Sequence, residues 1–310
     1  MIHAENVTMH FQTASMKEPF VALDHLSCSI PSGCIYGLVG ANGSGKSTLM
    51  RLISGVYRQK SGSITIDGEE IWENPAAKAR VVYIPDELYF LPQSTLHRMA
   101  QFYRSVYPSF SMERFEQLVK SFGLDKHASL NAFSKGMKRQ AATILGLSTM
   151  AEYLLFDETF DGLDPVMRRL VKKMIYNDIL ERGTTAIITS HSLRELEDTC
   201  DQLALLHRGG IVFESDVERL KTSLYKAQVA FDTPFTKEKF EGLDLLSYDQ
   251  LGSVATMILR GDREENERML RALDPILCEF LPLNLEEVFI YETEALGYKF
   301  EEEATGGDRK

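Results

Sequence analysis

The residues with the clearest chemistry lie at Gly40-Ala41-Asn42-Gly43-Ser44-Gly45-Lys46-Ser47. This run fits G-x-x-x-x-G-K-[ST], in which glycines let successive backbone N–H groups turn inward and cradle phosphate oxygens. The apolar segment Cys34 to Val39 precedes it, and a helical pattern begins near Lys46. The positive end of that helix then faces the same anion. The expected roles are specific. Lys46 pairs with the β- and γ-phosphates of a nucleotide and Ser47 ligates Mg²⁺, while Gly40, Asn42, Gly43, Ser44, Gly45 and Thr48 complete the cradle.

A second segment supplies carboxylates. Tyr153-Leu154-Leu155-Phe156-Asp157-Glu158 is an apolar strand ending in two acids. A buried strand delivers Asp157 beside the glycine loop, where it holds Mg²⁺ through water. Glu158 is then placed to polarise an attacking water as general base.

Together these motifs resemble the ATP-binding subunits of ABC transporters. That family carries the signature LSGGQ ahead of its acidic strand, and the matching segment here is Phe133-Ser134-Lys135-Gly136-Met137, followed by Lys138-Arg139-Gln140. The resemblance implies that Ser134 and Gly136 touch the γ-phosphate of ATP held by a second subunit. Phe133, Lys135 and Met137 depart from the consensus, but a Ser hydroxyl, a Gly N–H and a helix N-terminus still make an anion site. Asp161-Gly162-Leu163-Asp164 follows Glu158 as the family's D-loop does, which gives Asp164 a coupling role across a dimer. His191, in Thr189-Ser190-His191, corresponds to the family's switch histidine, which contacts the γ-phosphate and orients Glu158 or the water. The adenine-stacking aromatic corresponds to Phe11, with Phe20 as the alternative. Where the family has a Mg²⁺-sensing Gln after a strand, Tyr83-Ile84-Pro85 is followed by Asp86, with Gln93 as a later candidate. Asp86 can still bind Mg²⁺ or water, but it adds a negative charge. The signature and the ending Leu285-Glu286-Glu287-Val288-Phe289 also look like ABC-2-type bacterial exporters.

The elements that must position these groups follow from periodicity. Residues 1–38 read as strands, with a Pro31-Ser32-Gly33 turn, and Ser63 to Gly68 as a strand with its turn. Helical spacing runs over Leu96 to Val106, Met112 to Phe122 and Lys135 to Met150. Strand and helix then alternate from Tyr153 to His207, the pattern of a parallel sheet. The fold class is therefore α/β: a P-loop NTPase fold of the ABC ATPase type with a helical insertion, plus a small C-terminal α+β domain. The expected division is an ATPase domain over residues 1–221, with its helical subdomain at about 86–150, and an accessory domain over 222–310. Charge supports that boundary. Residues 222–310 hold 10 Lys/Arg against 19 Asp/Glu, and residues 1–221 the remaining 24 and 26. Glu301 to Lys310 reads as a frayed polar tail.

Composition narrows the partners. A net charge of -11 argues against nucleic acid, whose phosphates require a basic face. No stretch approaches the roughly 18 apolar residues that span a bilayer, and the N-terminus lacks a signal-peptide layout. The expected location is cytoplasmic, peripheral on the inner face of the cell membrane, with any membrane role exerted through a partner. Cys28, Cys34, Cys200 and Cys278 form no CxxC pair and read as buried reduced thiols. One chain holds a single copy of each motif, so the resemblance implies a second ATPase subunit, in a homodimer or heterodimer, and an integral-membrane permease. Two other readings are weighed against this one. A soluble ABC-type ATPase on ribosomes or DNA lacks support in the charge and the single cassette. A non-hydrolysing nucleotide-binding regulatory module is opposed by Glu158 and His191.

Overall fold

The computed structural model describes residues 1–12, 18–160, 163–295 and 297. The chain divides into two compact units, Met1–Glu214 and Ser215–Lys310. The charge-based boundary near 222 falls inside the helix Val217–Ser223, which is mixed in charge and belongs to the second unit.

The first unit begins with β1 (Ile2–Phe11), β2 (Phe20–Ile30) and β3 (Ile35–Val39), then α1 (Lys46–Ile53), β4 (Ser61–Ile66), β5 (Glu69–Glu70), α2 (Pro75–Ala79) and β6 (Val81–Ile84). The helical insertion follows as α3 (Leu96–Val106), α4 (Met112–Phe122) and α5 (Lys135–Ser148). The chain returns through β7 (Tyr153–Asp157), α6 (Pro165–Arg182), β8 (Thr185–Ser190), α7 (Leu193–Glu197), β9 (Gln202–His207) and β10 (Gly210–Asp216).

Two sheets result. The antiparallel one has the order β2-β1-β4-β5, and the six-stranded one β10-β9-β3-β8-β7-β6. In the latter, β9, β3, β8, β7 and β6 run parallel. Every residue of β3, β7 and β8 is buried, as strands covered on both faces must be. Each fully buried Leu or Ile there contributes roughly 1.5–3 kcal/mol. Because the strands are parallel, their C-terminal ends lie at one edge of the sheet. In open α/β sheets, ligands bind at that edge.

Local chemistry sets the helix ends. Thr95, Ser111, Ser134 and Asp164 cap the N-termini of α3, α4, α5 and α6 through side-chain oxygens. Gly123 and Gly183, both at φ 67°, close α4 and α6. Among the described residues, no helix is long and apolar enough to cross a membrane.

The second unit holds α8 (Val217–Ser223), β11 (Leu224–Ala230), β12 (Asp244–Leu251), β13 (Val254–Arg260), α9 (Arg263–Ala272), β14 (Leu277–Leu281) and α10 (Leu285–Ala295). Its strands form an antiparallel sheet in the order β12-β13-β11-β14. Tyr225, Ala227, Val229, Phe231, Phe240, Met257 and Leu259 pack into a core of their own with Leu270 of α9.

Candidate functional site

The glycine loop leaves β3 at Val39 and enters α1 at Lys46. Its shape excludes side chains at two positions. A Cβ on Gly40 would lie 2.3 Å from the Leu206 carbonyl, and Gly45 has φ +113° with the Ala22 carbonyl 2.5 Å from where its Cβ would be. Only glycine meets both demands. No acidic residue stands in the first turn of α1 and no side chain caps it, so its positive end is left for an anion. Ser44 Oγ is buried with no hydrogen-bond partner among the described residues. A buried hydroxyl of this kind awaits an acceptor.

Lys46 is only 4% exposed. Its ammonium donates to the carbonyls of Gly40 at 2.7 Å and Ala41 at 3.3 Å, and it stands 3.3 Å from Glu158 Oε1. These contacts hold a buried charge in the mouth of the loop. The loop opens on a cavity of about 360 Å³. Asn42, Gly43, Gly45, Lys46, Ser47 and Thr48 line one side, and Phe20, Ala22, Asp86 and Glu158 line the rest.

Glu158 enters from β7, whose parallel register with β8 sets Asp157 beside Thr189. Asp157 is 1% exposed. Thr189 Oγ1 donates to its Oδ1 at 2.7 Å and the Tyr83 hydroxyl to its Oδ2 at 2.8 Å. Burial first, and then the Asp157 charge, push the Tyr83 phenol far above its ordinary range, so it remains a donor. The Glu158 backbone lies at φ 47°, a left-handed conformation that is uncommon outside glycine and clusters at functional sites.

The donor set suits Mg²⁺. This ion keeps several waters and takes one or two protein oxygens beside substrate phosphates. Ser47 lines the cavity, and Asp157 has carboxylate oxygens that each accept one bond and retain a lone pair.

Other anticipated residues fall in different places. Of the two aromatic candidates, Phe20 lines the cavity. Phe11 is its cross-strand partner, and its ring meets Tyr57 edge-on at 5.6 Å. Asp86 lines the cavity, whereas Gln93 is exposed and outside it. Asp86 does not stand as a free carboxylate: Arg139 Nη2 donates to its Oδ1 at 2.5 Å. His191 follows the last residue of β8, and Ser190 lies in register with Val39 at the foot of the glycine loop. Ser134 and Gly136 are outside the cavity. Ser134 is exposed and receives the Met137 N–H at 3.2 Å. Asp164 caps α6 by accepting from Val166 and Met167, while Asp161 and Gly162 of the same motif lie outside the described residues. Sequence reading did not single out Tyr83 or Arg139. Their side chains reach the acidic segment only through long-range folding, although their chemistry as a phenol donor and a forked cation was visible.

The parallel sheet, the glycine loop at its C-terminal edge and the facing carboxylate define a nucleoside-triphosphate-binding α/β protein. Comparison with known proteins narrows the class. Residues 23–161 match the family model described as ABC transporter. The chain is 33% identical over 269 residues to the ABC transporter ATP-binding protein YtrB of Bacillus subtilis, covering 86% of this chain and 91% of that protein. It is 28% identical over 230 residues to the lipopolysaccharide export system ATP-binding protein LptB of Haemophilus influenzae, covering 71% of this chain and 92% of that one. Among solved structures, a dimeric post-hydrolysis ATP-binding cassette bound to ADP and Pi superposes with a TM-score of 0.62 at 20% identity, covering 70% of this chain and 99% of that one. The chain belongs to the family of ABC transporter ATP-binding proteins, and it is an ATP-binding, ATP-hydrolysing subunit.

Proposed function

We propose that this subunit energises export through a separate integral-membrane permease, by ATP-driven closure of a dimer of ATPase subunits. The observation that carries the reading is the convergence of Lys46, Ser47 and Glu158 on one cavity at the N-terminus of α1. Lys46 neutralises the β- and γ-phosphates. Ser47 and Asp157 hold Mg²⁺, which supplies charge neutralisation of the transferring phosphoryl group. Asp86 contributes to the same side of the site. Glu158 takes the proton of the attacking water, and His191 orients it from the end of β8. Adenine stacks at the aromatic ends of β1 and β2, where Phe11 and Phe20 pair.

Half of each ATP site comes from the other subunit. Exposed Ser134 at the N-cap of α5, with Gly136 in its first turn, suits an anion held elsewhere. Asp164 lies at the same dimer face. Loss of the γ-phosphate removes the contacts that hold the two subunits together. Residues 1–214 act as the ATPase domain, with residues 86–150 as its helical subdomain, and 215–310 as the accessory domain. The partner subunit is a second copy or a paralogue, and the pair sits on the inner face of the cell membrane. The ABC-2-like motifs support this direction of transport, and the relatives include a lipopolysaccharide export protein beside a methionine import protein.

Glu158→Gln tests the core of the reading. The variant is expected to bind ATP, elute as a dimer on a sizing column with ATP, and lose turnover. Undiminished hydrolysis by that variant would sink the assignment. Co-purification of a polytopic membrane protein with the wild-type chain checks the permease, and recovery with ribosomes alone would count against it.

A further inference from the structure

Arg139 lies on α5, one turn beyond the signature residues, and is 5% exposed. A guanidinium taken out of water must be met by good acceptors. Its three acceptors belong to two separate segments. Nη1 donates to the carbonyl of Glu158 at 2.6 Å and to that of Thr159 at 3.4 Å, while Nη2 donates to Asp86 Oδ1 at 2.5 Å. The planar fork spans the acidic end of β7 and the loop after β6 at once, which a point-charge ammonium cannot do.

The contact to Glu158 bears on a strained residue. Glu158 has φ 47°. Its N–H donates to Thr189 Oγ1 at 3.0 Å, and its carbonyl receives Arg139. Both backbone groups of the left-handed residue are thus held from outside, one by β8 and one by α5. A conformation of this kind persists only where its surroundings over-determine it. Its side chain reaches Lys46 from that backbone.

We propose that Arg139 is a positioning residue for hydrolysis: it locks the Glu158 backbone in the orientation that presents its carboxylate and ties it to the loop bearing Asp86. Asp86 then serves as the counter-charge of Arg139, which is why a carboxylate is tolerated beside the phosphate cavity. A displacement of the Asp86 loop is passed to Glu158 through one side chain. This rests on the reading of Glu158 as the base.

The test uses Arg139→Gln, Arg139→Lys and Glu158→Gln in the full chain, with three readouts: kcat, ATP dissociation constant, and amide exchange of the 157–160 segment. Arg139→Gln should lower kcat by about 10- to 100-fold, the scale of a misplaced catalytic group. The ATP dissociation constant should stay within about threefold and exchange at 157–160 should quicken, as expected of a role in orientation rather than binding. Arg139→Lys keeps the charge but loses the fork, and should lie between wild type and Arg139→Gln in both kcat and exchange. It also covers the case in which Arg139→Gln does not fold. Wild-type kcat and exchange in either Arg139 variant, with Glu158→Gln inactive, would overturn the proposal alone. Sustained turnover in Glu158→Gln would overturn the reading of the base, and with it the catalytic half of the proposal.

Discussion

Lys46 Nζ and Glu158 Oε1 lie 3.3 Å apart, with the lysine nearly buried and the glutamate 23% exposed. A cation and a carboxylate at one cavity give opposite instructions to a triphosphate. The first attracts the phosphates and the second repels them; in the roles proposed above, the second acts on water. Their substitutions should therefore separate binding from chemistry. Lys46→Ala is expected to weaken ATP binding and to lower turnover by about 10²–10³-fold, the scale for a lost preorganised electrostatic contact. Glu158→Gln should leave the ATP dissociation constant nearly unchanged and lower turnover by at least about 10²-fold. Fluorescent-nucleotide titration with steady-state phosphate release distinguishes the two, and equal losses of affinity in both would contradict the division of roles.

Tyr83 holds Asp157 from the neighbouring strand at 2.8 Å. Tyr83→Phe removes one charge-assisted hydrogen bond without removing the ring. The expected stability loss is about 1.5–3 kcal/mol, measured by urea denaturation. The Mg²⁺ concentration for half-maximal turnover should rise, because Asp157 is less firmly oriented. An unchanged Mg²⁺ requirement would show that Thr189 suffices to orient the carboxylate.

The aromatic pair at the ends of β1 and β2 predicts two different phenotypes. Phe20 is 51% exposed and lines the cavity, so Phe20→Ala should raise the ATP dissociation constant by roughly tenfold, as for loss of one base-stacking partner, with a small effect on melting. Phe11 packs on Tyr57 and the core, so Phe11→Ala should also lower the melting temperature. Thermal melts with and without ATP decide between them. A larger affinity loss in Phe11→Ala would move the base from Phe20 to its neighbour.

The thiols give a pH prediction. Burial, assisted by Glu214, pushes Cys28 from 9.0 up to about 12. Burial, assisted by Asp201, pushes Cys34 from 9.0 up to about 11. Folded-state values above the unfolded ones mean that stability is complete below about pH 9 and declines as pH rises towards 11 and 12, because the unfolded chain releases protons that the folded chain retains. Cys28→Ala and Cys34→Ala should each flatten that alkaline decline. At pH 8, a thiol reagent should modify the partly exposed Cys278 ahead of the three buried cysteines. Rapid reaction of all four in the native chain would contradict the packing.

Much of the architecture was legible in the amino-acid order. The periodicity of Leu96–Val106 and Met112–Phe122 matches α3 and α4, because each helix carries its own cap and apolar stripe. Other elements were not legible. β12 (Asp244–Leu251) is half-exposed and polar along much of its length, and it is a strand because β13 pairs with it. β10 lies at the sheet edge with partly buried positions in place of clean alternation. Edge elements of this kind take their conformation from a neighbour, and local propensity is a weak guide to them.

The same distinction divides the candidate site. Gly40 to Ser47 is a local device: its turn, its positive φ values and its helix N-terminus are specified within a dozen residues, so the sequence alone determined it. The acidic end of Tyr153 to Glu158 was equally plain. What only the tertiary structure decided is which side chains surround those acids. Tyr83 meets Asp157 because β6 and β7 are parallel neighbours, with Tyr83 in register with Leu155. Phe20 meets the cavity from the antiparallel sheet. Asp86, which by sequence was a carboxylate where a Gln was expected, became one arm of an ion pair once α5 carried Arg139 across 53 positions of the chain to reach it. A motif read along the chain reports the backbone geometry it can build. The charge balance of a buried site depends on groups far apart in sequence, and only the packing of sheet and helices brings these close enough to act on one another.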